Sequence, residues 1–347
     1  MATFISFQPT DNFKAQIYTG TGASNAQTFP ETTAMQPDIT CIKNRDQSDF
    51  YVFANSLSGA TKYVQTDDSL VQTTNAESVK SFDSDGFTVG TFETVNTNTE
   101  KYVSWNWKAG TTSGIAGSPS ITPTAYTFNA TAGQSIIQYT GTGVAATLPH
   151  GLGVAPKFII VRNLAGGYNW MVYHEEMGAT KHMKLNTTAA EVTRSTDWND
   201  TAPTATLFSV GTNSETNQSA DTLLAYCFAE KLGYSAFGSY VGNGNNNGPM
   251  IYTGFRPGFI LIKGTANVWD WEAFDNERQG WNGSGGNKCL QPSNVAAEST
   301  EDVDILANGF KIRDSGNRMS QNDYEYVYAA FAKSPFVASN DTPGVAR

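Results

Sequence analysis

The string Tyr-Thr-Gly-Thr-Gly stands twice in this chain, at Tyr18–Gly22 and Tyr139–Gly143, and a relative, Tyr-Val-Gly-Asn-Gly, stands at Tyr240–Gly244. Self-similarity at a long period restricts a chain more than local propensity does, because each copy must fold alike. The rest of each copy follows in a fixed order. A proline, an apolar run and a basic residue come next, in Pro37–Lys43 (PDITCIK), Pro156–Arg162 (PKFIIVR) and Pro257–Lys263 (PGFILIK). Aromatic-rich stretches follow at Phe50–Phe53, Trp170–Tyr173 and Trp269–Trp271, and Gly-Ala-Thr-Lys recurs at Gly59–Lys62 and Gly178–Lys181. Apolar residues then flank a glycine in Phe82–Phe87, Leu207–Gly211 and Ile305–Phe310. Each copy closes on an alternating strand that ends at Lys108, Ala229 or Lys333. There Trp107, Phe228 and Phe331 share one column and Val103, Leu224 and Val327 another. We read three divergent copies of one module produced by internal duplication, spanning 1–112, 113–236 and 237–347.

Runs such as Phe158–Arg162 and Phe259–Lys263 are short, apolar, rich in β-branched and aromatic residues, and bounded by turn residues, which indicates buried strands. In the first closing strand Val103, Trp105 and Trp107 fall on one face and Ser104, Asn106 and Lys108 on the other. The prolines fix φ and end the preceding loop without needing a ladder partner. Gly242–Gly248 reads as a turn. The expected fold is therefore all-β, with three tandem antiparallel β-sandwich modules, jelly-roll-like, in a row. The Gly/Ser/Thr/Pro stretch Gly110–Thr124 reads as the first linker. The second junction, Leu232–Gly238, is short and aromatic, so the second and third modules are expected to dock closely.

Composition narrows the partners. Among 347 residues 22 basic face 32 acidic ones, a net charge of −10 with no basic cluster, which argues against nucleic acid and against anionic membrane surfaces. Only 16% of residues are charged, too few for long surface helices. The start MATFISFQPTDNF has no basic segment leading into an apolar one, and no stretch reaches the roughly 18 apolar residues of a membrane span. The expectation is a soluble protein made in a reducing cytoplasm. Cys41, Cys227 and Cys289 are dispersed, form no CxxC pair, and (for Cys41 and Cys227) lie in apolar runs as buried small hydrophobes.

Residues that could carry chemistry have simpler readings. His174 and His182, with Glu175 and Glu176 between them, lack the HExxH spacing that sets two imidazoles over one zinc, and read as surface strand and turn residues. Asp83-Ser-Asp85-Gly86 opens like a calcium loop but lacks the later ligands, so a β-turn before Phe87 accounts for it. Asp270 and Glu272, among Trp269 and Trp271, offer a glycosidase-like acid pair. Strand alternation puts the acids on a solvated face, and the other two copies have no such pair. Asn186 and Asn282 begin Asn-x-Ser/Thr strings that mark polar loops. No catalytic, cofactor or metal set is expected, and the protein is expected not to be an enzyme.

The motifs Tyr139–Gly143, Gly151–Asn163, Val172–Thr188, Leu207–Gly211, Ala225–Glu230 and Gly254–Lys263 together resemble a repeat-domain family found in structural proteins of marine tailed bacteriophages. The resemblance runs from about Tyr18 to Lys333. The first module diverges most, lacking before Pro37 the Gly-Leu-Gly that the second has at Gly151–Gly153. It implies a virion component that contacts other tail or capsid proteins, a homo-oligomer with the trimer as the common form, and no catalytic residues. The leading expectation is a tail fibre or appendage adhesin. Its loops Tyr168–Trp170 and Asn243–Asn247 would meet a host surface glycan, although core packing and turns explain the same residues one by one. The alternative is a capsid decoration or head-fibre protein, with Phe4, Ile5 and Phe7 as a docking arm or a first strand. A depolymerase would need paired acids in a groove, which the sequence does not offer.

Overall fold

The computed structural model describes residues 5, 7–278, 282, 286–316 and 318–335. Nearly all regular structure in them is antiparallel β. The helices are single turns such as Glu93–Asn96, Ser195–Trp198 and Ser214–Asn217.

Each closing strand is the middle of an inner sheet. In the first unit Lys101–Trp107 lies between Phe13–Thr19 and Ile39–Asn44, with Val52–Asn55 beyond. In the second, Thr222–Phe228 lies between Gln134–Thr140 and Phe158–Asn163, followed by Met171–His174. Three short strands, Ala125–Asn129, Lys181–Lys184 and Val192–Thr193, widen this sheet at its edges. In the third, Glu325–Pro335 lies between Ser235–Val241 and Phe255–Gly264, with Glu272–Asp275 beyond. A smaller layer covers one face of each inner sheet. In the first unit it is Asn25–Thr28, Gly86–Val89 and Val79–Asp83; in the second, Ala146–Pro149 with Leu207–Val210; in the third, Met250–Tyr252, Gly309–Ile312 and Val303–Leu306. Separate apolar clusters fill the three spaces so formed.

The inner sheets are buried on both faces. Ile39–Asn44 and Phe158–Asn163 are buried at every residue, which is why they read as unbroken apolar runs. Their second faces meet one another. Phe13, Trp105 and Trp107 of the first unit, Ile160, Tyr226 and Phe228 of the second, and Phe259, Ala329 and Phe331 of the third belong to one common core. The axial column converges to a point, with ring centroids 6.3 Å apart for Trp107–Phe228 and 5.5 Å for both Trp107–Phe331 and Phe228–Phe331. The units therefore do not stand in a row. They gather about one axis, because each inner sheet has a second apolar face that only the other two can cover.

Backbone hydrogen bonds close this gathering into a ring. A segment of the first unit reaches the second through Gln72 N–H to Leu164 O (3.0 Å) and accepts from Gly167 N–H at Ser69 O (2.7 Å). The second reaches the third through Glu191 N–H to Thr265 O (2.7 Å), and the third returns to the first through Glu298 N–H to Arg45 O (3.0 Å). Ion pairs Arg45–Glu298 and Lys333–Glu31, each 2.7 Å, strengthen the closing junction. The stretch expected as a free linker is laid onto the second unit: Thr111 pairs with Phe128 and Ile121 enters that unit's core. Tyr234, in the second junction, is fully buried in the common core.

The Tyr-x-Gly-x-Gly string is a clasp that fixes each unit's first strand to the turn before its last. Tyr18 donates its hydroxyl to Val95 O (2.7 Å), Tyr139 to Thr216 O (2.6 Å) and Tyr240 to Met319 O (2.9 Å). The first glycine has no room for a side chain. A Cβ on Gly20, Gly141 or Gly242 would stand 2.0, 2.1 or 2.3 Å from the carbonyl oxygen of Thr97, Gln218 or Gln321. The second glycine donates its N–H to the same turn and has positive φ, between 63 and 71°. Gly141→Ala is expected to displace the Gln218 turn and cost about 1–3 kcal/mol, measurable as a lower denaturation midpoint.

Candidate functional site

The basic residue that ends each Pro-apolar run is buried on the axial side of its sheet. Lys43, Arg162 and Lys263 sit beside Val103, Leu224 and Val327 in register. Each donates hydrogen bonds to carbonyls of the hairpin that follows it. Lys43 Nζ donates to Asn44 O (2.8 Å) and Gln47 O (2.9 Å), and Lys263 Nζ to Gly264 O (3.1 Å) and Asn267 O (3.0 Å). Arg162 donates to Tyr168 O and, across the junction, to Leu70 O of the first unit, as Lys263 does to Thr188 O of the second. Burial brings both lysines down to about 8 and Arg162 to about 10, with nearby carboxylates opposing the shift. These cations hold loops at the ring junctions. They are not exposed to a ligand.

One equivalent position shows three different chemistries. After Gly-Ala-Thr-Lys or its counterpart stand Tyr63, His182 and Cys289, which face the space between inner and outer layers. Tyr63 stacks with Phe50 (5.9 Å) and packs tilted against Phe92 (6.0 Å). His182 Nδ1 meets Asp197 Oδ2 at 2.6 Å with both side chains buried, and Asp197 is also held by Arg194 and Asn213. Burial raises the Asp197 pKa, but the bonds from His182, Arg194 and Asn213 outweigh it and keep the carboxyl below its ordinary range. Cys289 Sγ donates to Glu272 Oε2 at 2.8 Å, and Glu272 also accepts from Gln291 (3.2 Å) and Arg318 (3.4 Å).

Several expectations change here. Glu272 does not lie on a solvated face: it is buried against Cys289 and Gln291, and burial pushes its carboxyl up to about 7. Asp270 is half-buried and bonded to Ser293 (2.8 Å), so the two acids do not flank an open groove. Neither histidine singled out by spacing is on the surface. His174 is buried, with Nε2 donating to Tyr328 O of the third unit (3.0 Å) and Nδ1 accepting Glu176 N–H (3.3 Å). Trp170 is fully buried and donates to Gln65 O (2.8 Å), and Asn169 is tied to Glu215, so this loop does not present a stacking platform. Asn243–Asn247 is an exposed turn folded on its own side chains: Asn245 N–H bonds Asn243 (3.1 Å) and Asn247 N–H bonds Asn245 (2.8 Å).

The remaining candidates also have structural partners. Asp83 accepts from Ser81 and Thr88 (2.7 Å each) in the turn before Phe87, and Asp85 accepts Met35 N–H (3.1 Å). Among the described residues no group of three or more His, Cys, Asp or Glu could hold a metal ion. The three cysteines are buried and unpaired; burial pushes Cys227 up to about 12 and Cys289 well above its ordinary value, the opposite of an activated thiol. Asn186 is buried and accepts Trp170 N–H, and Asn282 bonds Ile305 through both backbone groups. Ile5 and Phe7 pack on the common core, Phe7 against Tyr234 at 5.3 Å; Phe4 lies outside the described residues. Sequence reasoning missed His150, Asp197 and Glu215. Asp197 and Glu215 lie far from His182 in sequence and carry no motif, so no spacing pointed to them.

Glu272 supplies a test of this burial. Its folded pKa of about 7 exceeds the unfolded value, so the carboxylate disfavours folding fully above pH 7 and is relieved as pH falls toward 4.5. Stability of Glu272→Gln relative to wild type is therefore expected to rise with pH from 4.5 to above 7, by at most ~3 kcal/mol. A flat difference, measured by denaturant titration across that range, would contradict a buried acid.

The ring junctions leave apolar side chains exposed at equivalent places: Leu70 and Val71 from the first unit, Val192 from the second, and Val295 from the third. Among the described residues no helix is long and apolar enough to cross a membrane. The family model described as a domain of unknown function (DUF7483) matches residues 8–335, almost the whole ring. No curated protein and no solved structure matches the chain.

Proposed function

This chain belongs to the DUF7483 family, and from that premise we propose that it is a non-enzymatic structural protein of a tailed-bacteriophage virion, a tail fibre or appendage adhesin that contacts the host surface. The observation that carries the structural reading is the closed ring, in which every ionisable group singled out for chemistry is engaged with its own chain. The bacteriophage context comes from the motif resemblance between Tyr18 and Lys333. On this reading the three units descend from one duplicated, jelly-roll-like sandwich, and the exposed apolar side chains at the junctions meet neighbouring virion subunits.

Immunogold labelling of intact particles tests the assignment. Label at the tail supports the adhesin and directs a glycan screen to the exposed Asn243–Asn247 turn. Label over the head makes it a decoration or head-fibre protein, and no label on purified particles removes the virion reading altogether. A chain whose three units already close about one axis needs no partner to complete that core, so the mass of the isolated protein separates a monomer from the homo-oligomer expected of an appendage.

A further inference from the structure

The three units do not completely fill the space at their common centre. A cavity of about 70 Å³ lies there, walled by residues of all three units and exposing only apolar surface. Residual exposure of interior side chains marks the same void. Phe53 (8%), Ile160 (7%) and Leu261 (6%) open onto it, whereas Val52, Ile159 and Ile262, on the opposite face of the same strands, are at 0%.

The cause is a single break in the repeat. Two residues before the axial aromatic column the first unit has Trp105 and the second Tyr226, but the third has Ala329. Their registers agree: Trp105 faces Cys41, Tyr226 faces Ile160 and Ala329 faces Leu261 on the neighbouring strands. One large ring is missing from a position where the other two units supply one. The void exposes no polar surface, so water has little to bond there, and its walls lack dispersion partners on one side.

We propose that this axial cavity is a binding site for one small, uncharged, apolar molecule, the size of a xenon atom or a short hydrocarbon. It has roughly half the volume of the ~150 Å³ apolar cavity known to take up benzene or xenon, which sets the upper size. Binding would fill unsatisfied contact with all three units at once and so favour the closed ring. The inference is independent of the virion reading.

Xenon is the probe. Titrating the full chain with dissolved xenon is expected to show one saturable site, with shifts in the methyl resonances of Ile39, Ile160 and Leu261 and none in Ile159 or Ile262. In Ala329→Leu, which fills the void, that site is expected to vanish while the ring stays folded. Should that variant fail to fold, the wild-type methyl pattern still decides. Non-saturable shifts spread over surface methyls, or unchanged binding in folded Ala329→Leu, overturn the proposal.

Discussion

Phe331→Ala is expected to lower stability by about 3–5 kcal/mol, and to do so in all three units together. The Phe331 ring packs against Trp107 and Phe13 of the first unit, Phe228 of the second, and Phe237 and Phe259 of its own. Removing it takes away contact area and opens a void that rigid β layers cannot collapse to fill. Edge-to-face aromatic pairs add about 0.5–1.5 kcal/mol each beyond area burial, so the upper half of the range is the better expectation. Denaturant unfolding followed by a separate probe in each unit checks it. Coincident transitions, displaced together in the variant, are expected from a common core. A transition displaced only in the third unit would show that the sandwiches hold themselves up independently.

Acid is expected to destabilise the wild type, relative to the double variant His150→Gln/His174→Gln, by several kcal/mol between pH 6.5 and pH 4. Both imidazoles are held as the neutral tautomer with the proton on Nε2. Nε2 faces a carbonyl, Thr204 O for His150 (3.1 Å) and Tyr328 O for His174 (3.0 Å), which can only accept. Nδ1 faces a backbone N–H, that of Leu152 (3.2 Å) or Glu176 (3.3 Å), which can only donate. Burial lowers each to about 4, with the backbone bond opposing. Below pH 6.5 the unfolded chain takes up protons that the folded chain refuses, so stability falls with pH until both states are protonated near 4. Each site contributes at most ~3 kcal/mol. Around His174, Glu175 favours the charged form and Lys157 opposes it, both behind burial and the bond to Tyr328 O. Glu272 titrates with the opposite sign over an overlapping range, but it is common to both proteins and cancels in the difference. Chemical denaturation at a series of pH values gives the curve, and a constant gap between the two proteins would refute the reading that both imidazoles are held neutral.

Much of this architecture could be read from the residues. The clasp strings, the Pro-apolar-basic runs and the closing strands occupy equivalent places in three sheets, because a motif that makes one hydrogen-bonded turn makes it wherever it recurs. The gathering about an axis could not be read from repetition alone, although its signature was present. In the last closing strand Tyr326, Tyr328 and Ala330 face the third unit's own core while Val327, Ala329 and Phe331 face the axis, so both faces are apolar. Alternation within Lys101–Trp107 sets Ser104 and Asn106 on the face opposite the aromatics, yet both residues are buried, with Asn106 bonded to Lys14 O (3.1 Å) and Ser104 Oγ (3.0 Å). Strand alternation placed Glu272 in solvent, and polarity placed His174 and His182 on the surface. Polarity marks a buried residue that has found a partner as readily as an exposed one, and the partners, such as Asp197 for His182, lie too far along the chain to show a spacing.

The ring closure also governs how the chain can be made. Contacts that complete it join Glu31 to Lys333 and Arg45 to Glu298, so nothing seals the axis until the third unit has been made. A ribosome that has delivered the first two units has released two sheets whose apolar faces, Phe13, Trp105, Trp107, Ile160 and Phe228, have only each other for cover. Nascent surface of that kind associates with other chains. A premature stop before Glu325 therefore yields an adhesive fragment in place of a shorter working protein.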